Sequence, residues 1–331
     1  DQSSPIMTRN AESPVILVTE PIASQGIDAL NRFATVMYPS RPDEPSILAA
    51  ARPAEAIVVR VAPITAQVID AAQNLRLIQK HGVGVDSVDV DHATQRGIPV
   101  CITAEANAAS VAEFAVAAAL TLVKRIHERN VIVRTGRWRD EDDVPVHELD
   151  HRTVGVVGGG RVGLRVLQAF VHGLNMRGLV YDPYVPAKVI YAAGGEPTST
   201  VEDLLKRSDI VTLHTPLTKE SHHLIDANRL SYLQPHAVLV NTCRGSVVEE
   251  NALADALTNG TLAAAAIDVF EHEPPVNSPL LSAPNIMLSP HVAGITMDSA
   301  VRTAIHCADE ISRVLDGRAP KWCINPEVLE P

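Results

Sequence analysis

The chain has 331 residues, 46% of them hydrophobic, and a formal charge of −11 from 39 acidic against 28 basic residues. That length exceeds what one hydrophobic core usually reaches, so two domains are expected, and the acidic balance argues against wrapping nucleic acid or an anionic membrane, which needs clustered Lys and Arg. No window approaches the roughly 18 uncharged apolar residues of a membrane span and no secretory pattern opens the chain, so a soluble cytoplasmic protein is expected.

The first dozen residues, DQSSPIMTRNAE, are polar and aperiodic, and Met7 is a candidate natural start. From Val15 short β-branched runs alternate with helical stretches: VILVT (15–19), ATVMY (34–38), AIVVR (56–60), LRLIQ (75–79) and IPVCI (98–102), with helical spacing over 23–32 and 65–72. Strands that lack a polar face, in strict turn with helices, imply a parallel sheet covered on both sides. One long helix is predicted from Ala108 to about Arg134, and the polar arm RWRDEDDVPVHELDH (137–151) follows, with Trp138 as a packing or interface residue. A second α/β series places strands near 153–157, 177–181, 209–213, 237–241, 263–267 and 286–288, the six parallel strands of a dinucleotide-binding domain. The last helix, Met297 to Asp316, is expected to cross back to the first domain, which makes that domain discontinuous and puts a cleft between the two. Cys101, Cys243, Cys307 and Cys323 show no CxxC or zinc spacing, so they read as reduced thiols, and no metal site is expected. His222 and His223 look like a metal pair, but neighbours on a strand face opposite ways and no third ligand is evident, so they read as ordinary residues.

The glycine-rich turn, Gly158, Gly160 and Gly163 in TVGVVGGGRVG, follows an apolar run and opens a helical segment. Such glycines let a pyrophosphate approach backbone N–H groups at a helix N-terminus, where the dipole favours the anion. Asp182 lies 19 residues beyond Gly163, where a carboxylate accepts hydrogen bonds from ribose hydroxyls and repels a 2′-phosphate, so NAD is favoured over NADP. Asp182 also precedes Pro183 and reads alternatively as a turn former. Further on, Arg244, Glu273 and His291 each follow a strand-like run. Each alone reads as a solvated or capping residue. Together, a cation for a carboxylate, an acid to orient a histidine and a histidine to move a proton are what hydride transfer at a 2-hydroxy acid requires.

The sequence resembles the D-isomer-specific 2-hydroxyacid dehydrogenases over nearly its whole length, from about Val15 to Val328. The resemblance is carried by HGVGVDSVDVDHATQRGIPV (81–100), NAASVAEF (107–114), VGVVGGGRVG with YDP, DIVTLHTPLTKESHHLI (209–225), VLVNTCRGSVVEENAL (238–253), AAIDVFEHEPP (265–275) and SPHVAG (289–294). It implies an NAD-binding Rossmann domain (107–292, with a dimerisation arm over about 108–152) inserted in a flavodoxin-like substrate domain (14–106 and 293–331), both doubly wound parallel sheets of an α/β protein. It implies that Arg244 grips the substrate, that His291 is the proton donor and that Glu273 is its acid partner. Around NAD it implies Gly158, Gly160, Arg161, Val162, Gly163, Asp182, His214, Pro216, Thr242, Cys243 and His291, with Asp268 beside the nicotinamide carboxamide. Val83 and Gly84 are implied as backbone donors to the substrate carboxylate, with Arg60 and Asn107 in the same cleft and hinges near Asn107 and Ala293. A homodimer is implied.

Three departures from the family's pattern stand out. Cys243 replaces a small apolar residue, CITAEAN (101–107) lacks the usual proline and glycine, and the chain stops at INPEVLEP, so regulation by a serine-binding domain is not expected. An NAD-dependent dehydrogenase of a D-2-hydroxy acid, of the 3-phosphoglycerate or hydroxypyruvate/glyoxylate kind, is the expected activity. Formate dehydrogenases carry an amide where Glu273 stands, and NAD-sensing corepressors of the family keep the same three residues, so these are the rival readings.

Overall fold

The computed structural model describes residues 13–138 and 146–329; Met7 and residues 139–145 of the charged arm lie outside them. The chain divides into two compact units, one formed by Asp1–Asn107 with Thr296–Pro331 and the other by Ala108–Ile295.

The first unit holds β1 (Val15–Val18), β2 (Thr35–Met37), β3 (Ala56–Val59), β4 (Leu77–Lys80) and β5 (Val100–Cys101), in the order β2-β1-β3-β4-β5. Every pairing is parallel, and the order is that of flavodoxin-like sheets. Its helices are α1 (Ser24–Leu30), α2 (Glu44–Ala51), α3 (Ala66–Ala71) and α4 (Val90–Gln95). Successive side chains of a strand face opposite ways, and β1 fills two cores accordingly. Ile16 and Val18 join Leu30, Cys307 and Ile311, whereas Leu17 joins Ile47, Val68 and Ile69.

In the second unit lie α5 (Ala108–Lys124), α6 (Ile126–Arg134), β6 (Thr153–Val157), α7 (Arg161–Leu174), β7 (Arg177–Tyr181), α8 (Ala187–Ala192) and β8 (Gly195–Pro197). It continues through α9 (Val201–Arg207), β9 (Ile210–Leu213), α10 (Ala227–Leu230), β10 (Val238–Asn241), α11 (Glu250–Thr258), β11 (Ala264–Ile267) and β12 (Ile286–Leu288). Last, α12 (Met297–Leu315) returns to the first unit. The sheet order is β12-β11-β10-β9-β6-β7-β8, all parallel, a doubly wound sheet whose strand order reverses between β6 and β9.

Two features differ from the sequence expectation. The sheet has a seventh strand, β8, made of Gly195, Glu196 and Pro197; glycine and proline are poor strand formers, and only an edge position such as this tolerates the missing N–H. The single helix predicted over 108–134 is two, because Arg125 adopts the left-handed conformation at φ 50°. Among the described residues no helix is long and apolar enough to cross a membrane.

The returning segment is anchored by polar contacts. Thr296 Oγ1 accepts from Ser299 N–H (3.0 Å) and Ser299 Oγ from Thr296 N–H (2.9 Å), a reciprocal cap on α12. Farther on, Asn325 is 2% exposed and bonds three ways to the first chain segment. Its Oδ1 accepts from Val100 N–H (2.8 Å), and its Nδ2 donates to Thr94 Oγ1 (2.9 Å) and the Ile98 carbonyl (3.0 Å). Asn325→Ala leaves buried backbone groups at Val100 and Ile98 without partners, so it should destabilise this unit by about 2–4 kcal/mol. A urea midpoint equal to that of the parent chain would show that water replaces the amide freely.

Candidate active site

The candidate residues of the second unit sit at the carboxyl ends of its parallel strands, the edge where open α/β sheets bind ligands. After β6 the chain turns through Gly158 at φ 98°, and a Cβ there would lie 2.5 Å from the His214 carbonyl oxygen beyond β9. A Cβ on Gly163 would lie 1.9 Å from the Gly158 carbonyl oxygen, whereas one on Gly160 would meet nothing within 4 Å. Two glycines therefore let backbones close on one another, and the third leaves open space over the first turn of α7, with Arg161 and Val162 heading the helix. That opening, at a helix N-terminus, suits a pyrophosphate.

Asp182 follows β7, and its carboxylate accepts from Gly159 N–H (2.8 Å), Tyr184 N–H (2.8 Å) and Val185 N–H (3.1 Å). These bonds fix a negative charge beside the glycine turn. His214 follows β9; its Nε2 meets Thr212 Oγ1 at 2.7 Å, and burial pushes its pKa down to about 3, so it is a neutral ring. Pro216 closes this loop through its carbonyl, which accepts from Ser221 Oγ at 2.6 Å. Thr242, after β10, has its hydroxyl oxygen buried with no hydrogen-bond partner. An orphaned buried hydroxyl on this edge fits a site meant to receive a ligand. Cys243 beside it has its thiol pushed up to about 11 by burial, with Sγ 3.1 Å from Asn241 Oδ1.

The three candidate catalytic residues are set by the backbone of β10 and β11. Asn241, buried at the end of β10, accepts from Cys243 N–H (3.1 Å) and donates to the Arg244 carbonyl (2.9 Å), while Arg244 Nη1 donates to the Cys243 carbonyl (2.6 Å). Gly245 packs flat on the next loop, where a Cβ would fall 1.9 Å from the Phe270 carbonyl carbon. Glu273, in that loop, accepts from Phe270 N–H (3.1 Å) through Oε1 and pairs with His291 Nδ1 at 2.8 Å through Oε2. A carboxylate is only an acceptor, so Nδ1 carries the proton, and the opposite nitrogen, Nε2, is left to exchange one. Asp268 is 1% exposed; it accepts from Ser289 Oγ (2.6 Å), Val292 N–H (2.9 Å) and Ala293 N–H (2.8 Å), which shapes the bend that carries His291.

In the first unit Arg60 follows β3, Val83 and Gly84 follow β4, and Asn107 ends the segment after β5, again at the carboxyl ends of neighbouring strands. Arg60 Nη1 donates to the Pro21 carbonyl (3.0 Å). Thr103 Oγ1 accepts from Gly82 N–H (2.9 Å) and ties the turn before Val83 to the strand beside it. Glu20, which sequence reasoning missed, accepts from the N–H groups of Arg60 (2.9 Å), Val61 (2.8 Å) and Ala62 (3.1 Å). Burial opposes its charge, but the Thr19 hydroxyl and these N–H groups hold its carboxyl below the usual range. His81, at the head of the β4 turn, has its pKa pushed down to about 4, first by burial and then by the cations of Arg60 and Lys80. No motif announces Glu20, and His81 opens the segment HGVGVD without a role assigned to it.

His222 and His223 lie in a turn rather than on a strand, and their rings stack at 4.0 Å instead of facing opposite ways. His223 Nε2 meets Glu271 Oε1 at 3.1 Å, and no metal-binding group of three side chains occurs among the described residues.

The family described as "D-isomer specific 2-hydroxyacid dehydrogenase, NAD binding domain" matches residues 116–293. The chain is 37% identical over 327 residues to the glyoxylate reductase of Thermofilum pendens, covering 96% of each. To the D-3-phosphoglycerate dehydrogenase of Methanocaldococcus jannaschii it is 35% identical over 312 residues, 94% of this chain but only 59% of that relative's length. Among solved structures, the NADPH-dependent glyoxylate/hydroxypyruvate reductase of Sinorhizobium meliloti in complex with NADP and malonate is similar at a TM-score of 0.83 and 30% identity, covering 95% of this chain and 97% of that one.

The two neutral histidines have a thermodynamic consequence. His81 and His214 have depressed values in the folded state, about 4 and about 3, against about 6.5 when unfolded. Their contribution is thus complete above about pH 6.5 and is lost as pH falls toward the folded values, because the unfolded chain takes up protons there and the folded chain does not. Each should steepen the loss of stability by up to about 1.4 kcal/mol per pH unit inside that window. Urea midpoints of the parent chain, His81→Asn and His214→Asn between pH 7 and 5 measure this; equal slopes in all three would contradict it.

Proposed function

The chain belongs to the D-isomer specific 2-hydroxyacid dehydrogenases, a family of NAD-dependent oxidoreductases, and on that premise we propose that it interconverts a D-2-hydroxy acid and the matching 2-oxo acid, of the 3-phosphoglycerate or hydroxypyruvate/glyoxylate kind. The observation that carries this reading is the pairing of Glu273 with His291 at 2.8 Å, on the same sheet edge as Arg244. Support for a small 2-oxo acid comes from the glyoxylate reductase that matches over 96% of both chains.

When bound, NAD supplies or accepts the hydride at the substrate's second carbon. The residues to hold it are Gly158, Gly160 and Gly163 with Arg161 and Val162 at the pyrophosphate, Asp182 at the ribose, and His214, Pro216, Thr242, Cys243, Asp268 and His291 along the strand ends. Arg244 offers a planar fork of donors that grips a carboxylate and polarises the 2-oxo group. Within the first unit, the N–H groups of Val83 and Gly84, with Arg60 and Asn107, are the groups proposed for substrate binding. His291 delivers the proton from Nε2 to the oxygen on which charge develops, and Glu273 stabilises the imidazolium before the transfer. A formate dehydrogenase has no such proton to move, so the carboxylate of Glu273 counts against that rival. A homodimer is the assembly we propose, since α6 buries none of its residues and exposes Ile126, Val131 and Val133.

A panel of glyoxylate, hydroxypyruvate and phosphohydroxypyruvate with NADH and NADPH tests the activity, and turnover of none of them would favour a cofactor-sensing binding protein instead. His291→Ala should lower kcat by about 10²- to 10⁴-fold with NADH affinity kept, whereas Arg244→Ala should damage KM and kcat together. Glu273→Gln should lower kcat for reduction with NADH affinity kept, because an amide does not hold the His291 ring at Nδ1 as the carboxylate does. Near-normal turnover by His291→Ala would remove it from the reaction.

Cofactor choice follows from Asp182. Its carboxylate faces the ribose position and repels a 2′-phosphate, so NADH should exceed NADPH in kcat/KM and Asp182→Ala should narrow the gap. A parent enzyme that prefers NADPH, as the Sinorhizobium meliloti reductase is described, would overturn this assignment.

A further inference from the structure

Two of the four cysteines, far apart in sequence, face each other across a backbone bridge. Cys101 ends β5 and pairs with Cys323 in an isolated antiparallel bridge to the C-terminal segment. Ile102 N–H donates to the Trp322 carbonyl (3.0 Å) and Ile324 N–H to the Val100 carbonyl (3.0 Å), so backbone hydrogen bonds flank the pair on either side and no backbone bond joins it directly. In antiparallel strands that register brings Cα atoms to roughly 4.5 Å and side chains closest together, and a disulfide needs Cα atoms only about 4.4–6.8 Å apart. Both thiols are free.

We propose that Cys101 and Cys323 are a redox pair that a hydroperoxide converts into an intramolecular disulfide. The pair has an order of reaction built in. Cys323 is half-buried and Cys101 is wholly buried, so an oxidant reaches Cys323 first. The neighbouring Cys101 thiol favours a thiolate at Cys323, and that same contact, with burial, keeps Cys101 protonated. The Cys323 thiolate attacks the peroxide: an S–O bond forms, the O–O bond breaks, and the departing oxide leaves as water or alcohol once protonated. Cys101 sulfur then attacks the sulfenyl sulfur, an S–S bond forms, the S–O bond breaks, and the Cys101 proton leaves with the hydroxyl as water. Two thiols have lost two electrons and the peroxide has gained them. Cys243 and Cys307 do not compete, because burial holds both as thiols.

The bond would join the two chain segments of the first unit, Asp1–Asn107 and Thr296–Pro331, which otherwise meet only through noncovalent contacts there. It would also fix the strand leading to Thr103, the residue that ties the Gly82 turn ahead of Val83 and Gly84.

The test is hydrogen peroxide added to the reduced full chain, with denatured thiol counts, peptide mapping without reductant and thermal unfolding. The expected result is a fall from four titratable thiols to two, a linked peptide carrying Cys101 and Cys323, a raised Tm, and full reversal by dithiothreitol. Cys101→Ser and Cys101→Ala should give no linked peptide and no rise in Tm. The proposal is overturned if the parent chain keeps four thiols, if the linkage involves Cys243 or Cys307, or if Cys323 advances to sulfinic acid unlinked.

Discussion

The bend that presents His291 hangs on one buried carboxylate. Asp268 follows β11, and its side chain gathers the Ser289 hydroxyl and the N–H groups of Val292 and Ala293, while its carbonyl accepts from His291 N–H at 2.7 Å. Charge-assisted bonds of this kind are roughly twice as strong as neutral ones, and they hold His291 at φ 54°, a left-handed conformation that costs a non-glycine residue on the order of 1 kcal/mol. Asp268 is itself referenced to the neighbouring strand, since its N–H donates to the Asn241 carbonyl at 3.0 Å. The Asn241 side chain in turn fixes the chain through Cys243 and Arg244. Arg244 and His291 are therefore both measured from the ends of β10 and β11, and their separation is a property of the sheet rather than of flexible side chains.

Glu273 is placed by a second set of acceptors. The Gly245 backbone lies on the Phe270–Glu271 peptide with no room for a Cβ, so the loop that carries Glu273 cannot drift from the turn that carries Arg244. Glu250 accepts from Glu271 N–H (2.8 Å) and pairs with Ser278, and Glu271 accepts from His223 (3.1 Å) and Glu250 N–H (3.3 Å). The same solution recurs in the first unit, where Glu20 collects the N–H groups of three successive residues from Arg60. Loops at strand ends have backbone donors that the ladder no longer satisfies, and buried carboxylates supply the acceptors.

Much of the strand pattern was legible because parallel strands covered on both faces are continuous apolar runs, and the glycine turn was legible because close backbone approach leaves a residue-level mark at Gly158 and Gly163. What was not legible depends on contacts distant in sequence. Gly195 to Pro197 has no strand-forming residue and pairs only because β7 offers an open edge. The break at Arg125 leaves no glycine or proline to read in KRIHE. Residue types named for the site could be read from motifs, but their bonds could not: that Asp268 shapes the His291 bend, or that Thr242 has an orphaned hydroxyl, follows only from the folded backbone. Cys101 and Cys323 read as scattered thiols for the same reason, because linear spacing carries no trace of a bridge between β5 and the C-terminal segment of a discontinuous unit.

That discontinuity explains why so much polar bonding converges on the C-terminal segment. With the whole second unit inserted between Asn107 and Thr296, the returning chain must find its place on a sheet already complete in its five strands. The apolar stripe of α12, with Cys307, Ala308 and Ile311, supplies attraction to the face of β1 and β3 but little register, since hydrophobic contact is non-directional. Register comes from directional groups: the Thr296 cap that starts the helix, the Arg76 guanidinium on the carbonyls of Val314 and Leu315 at its end, and Asn325 on Val100 and Ile98 beyond it. The last of these brings residue 323 opposite residue 101. A segment that had only to cover an apolar face would tolerate sliding; one whose hydrogen bonds also complete the edge of β5 does not.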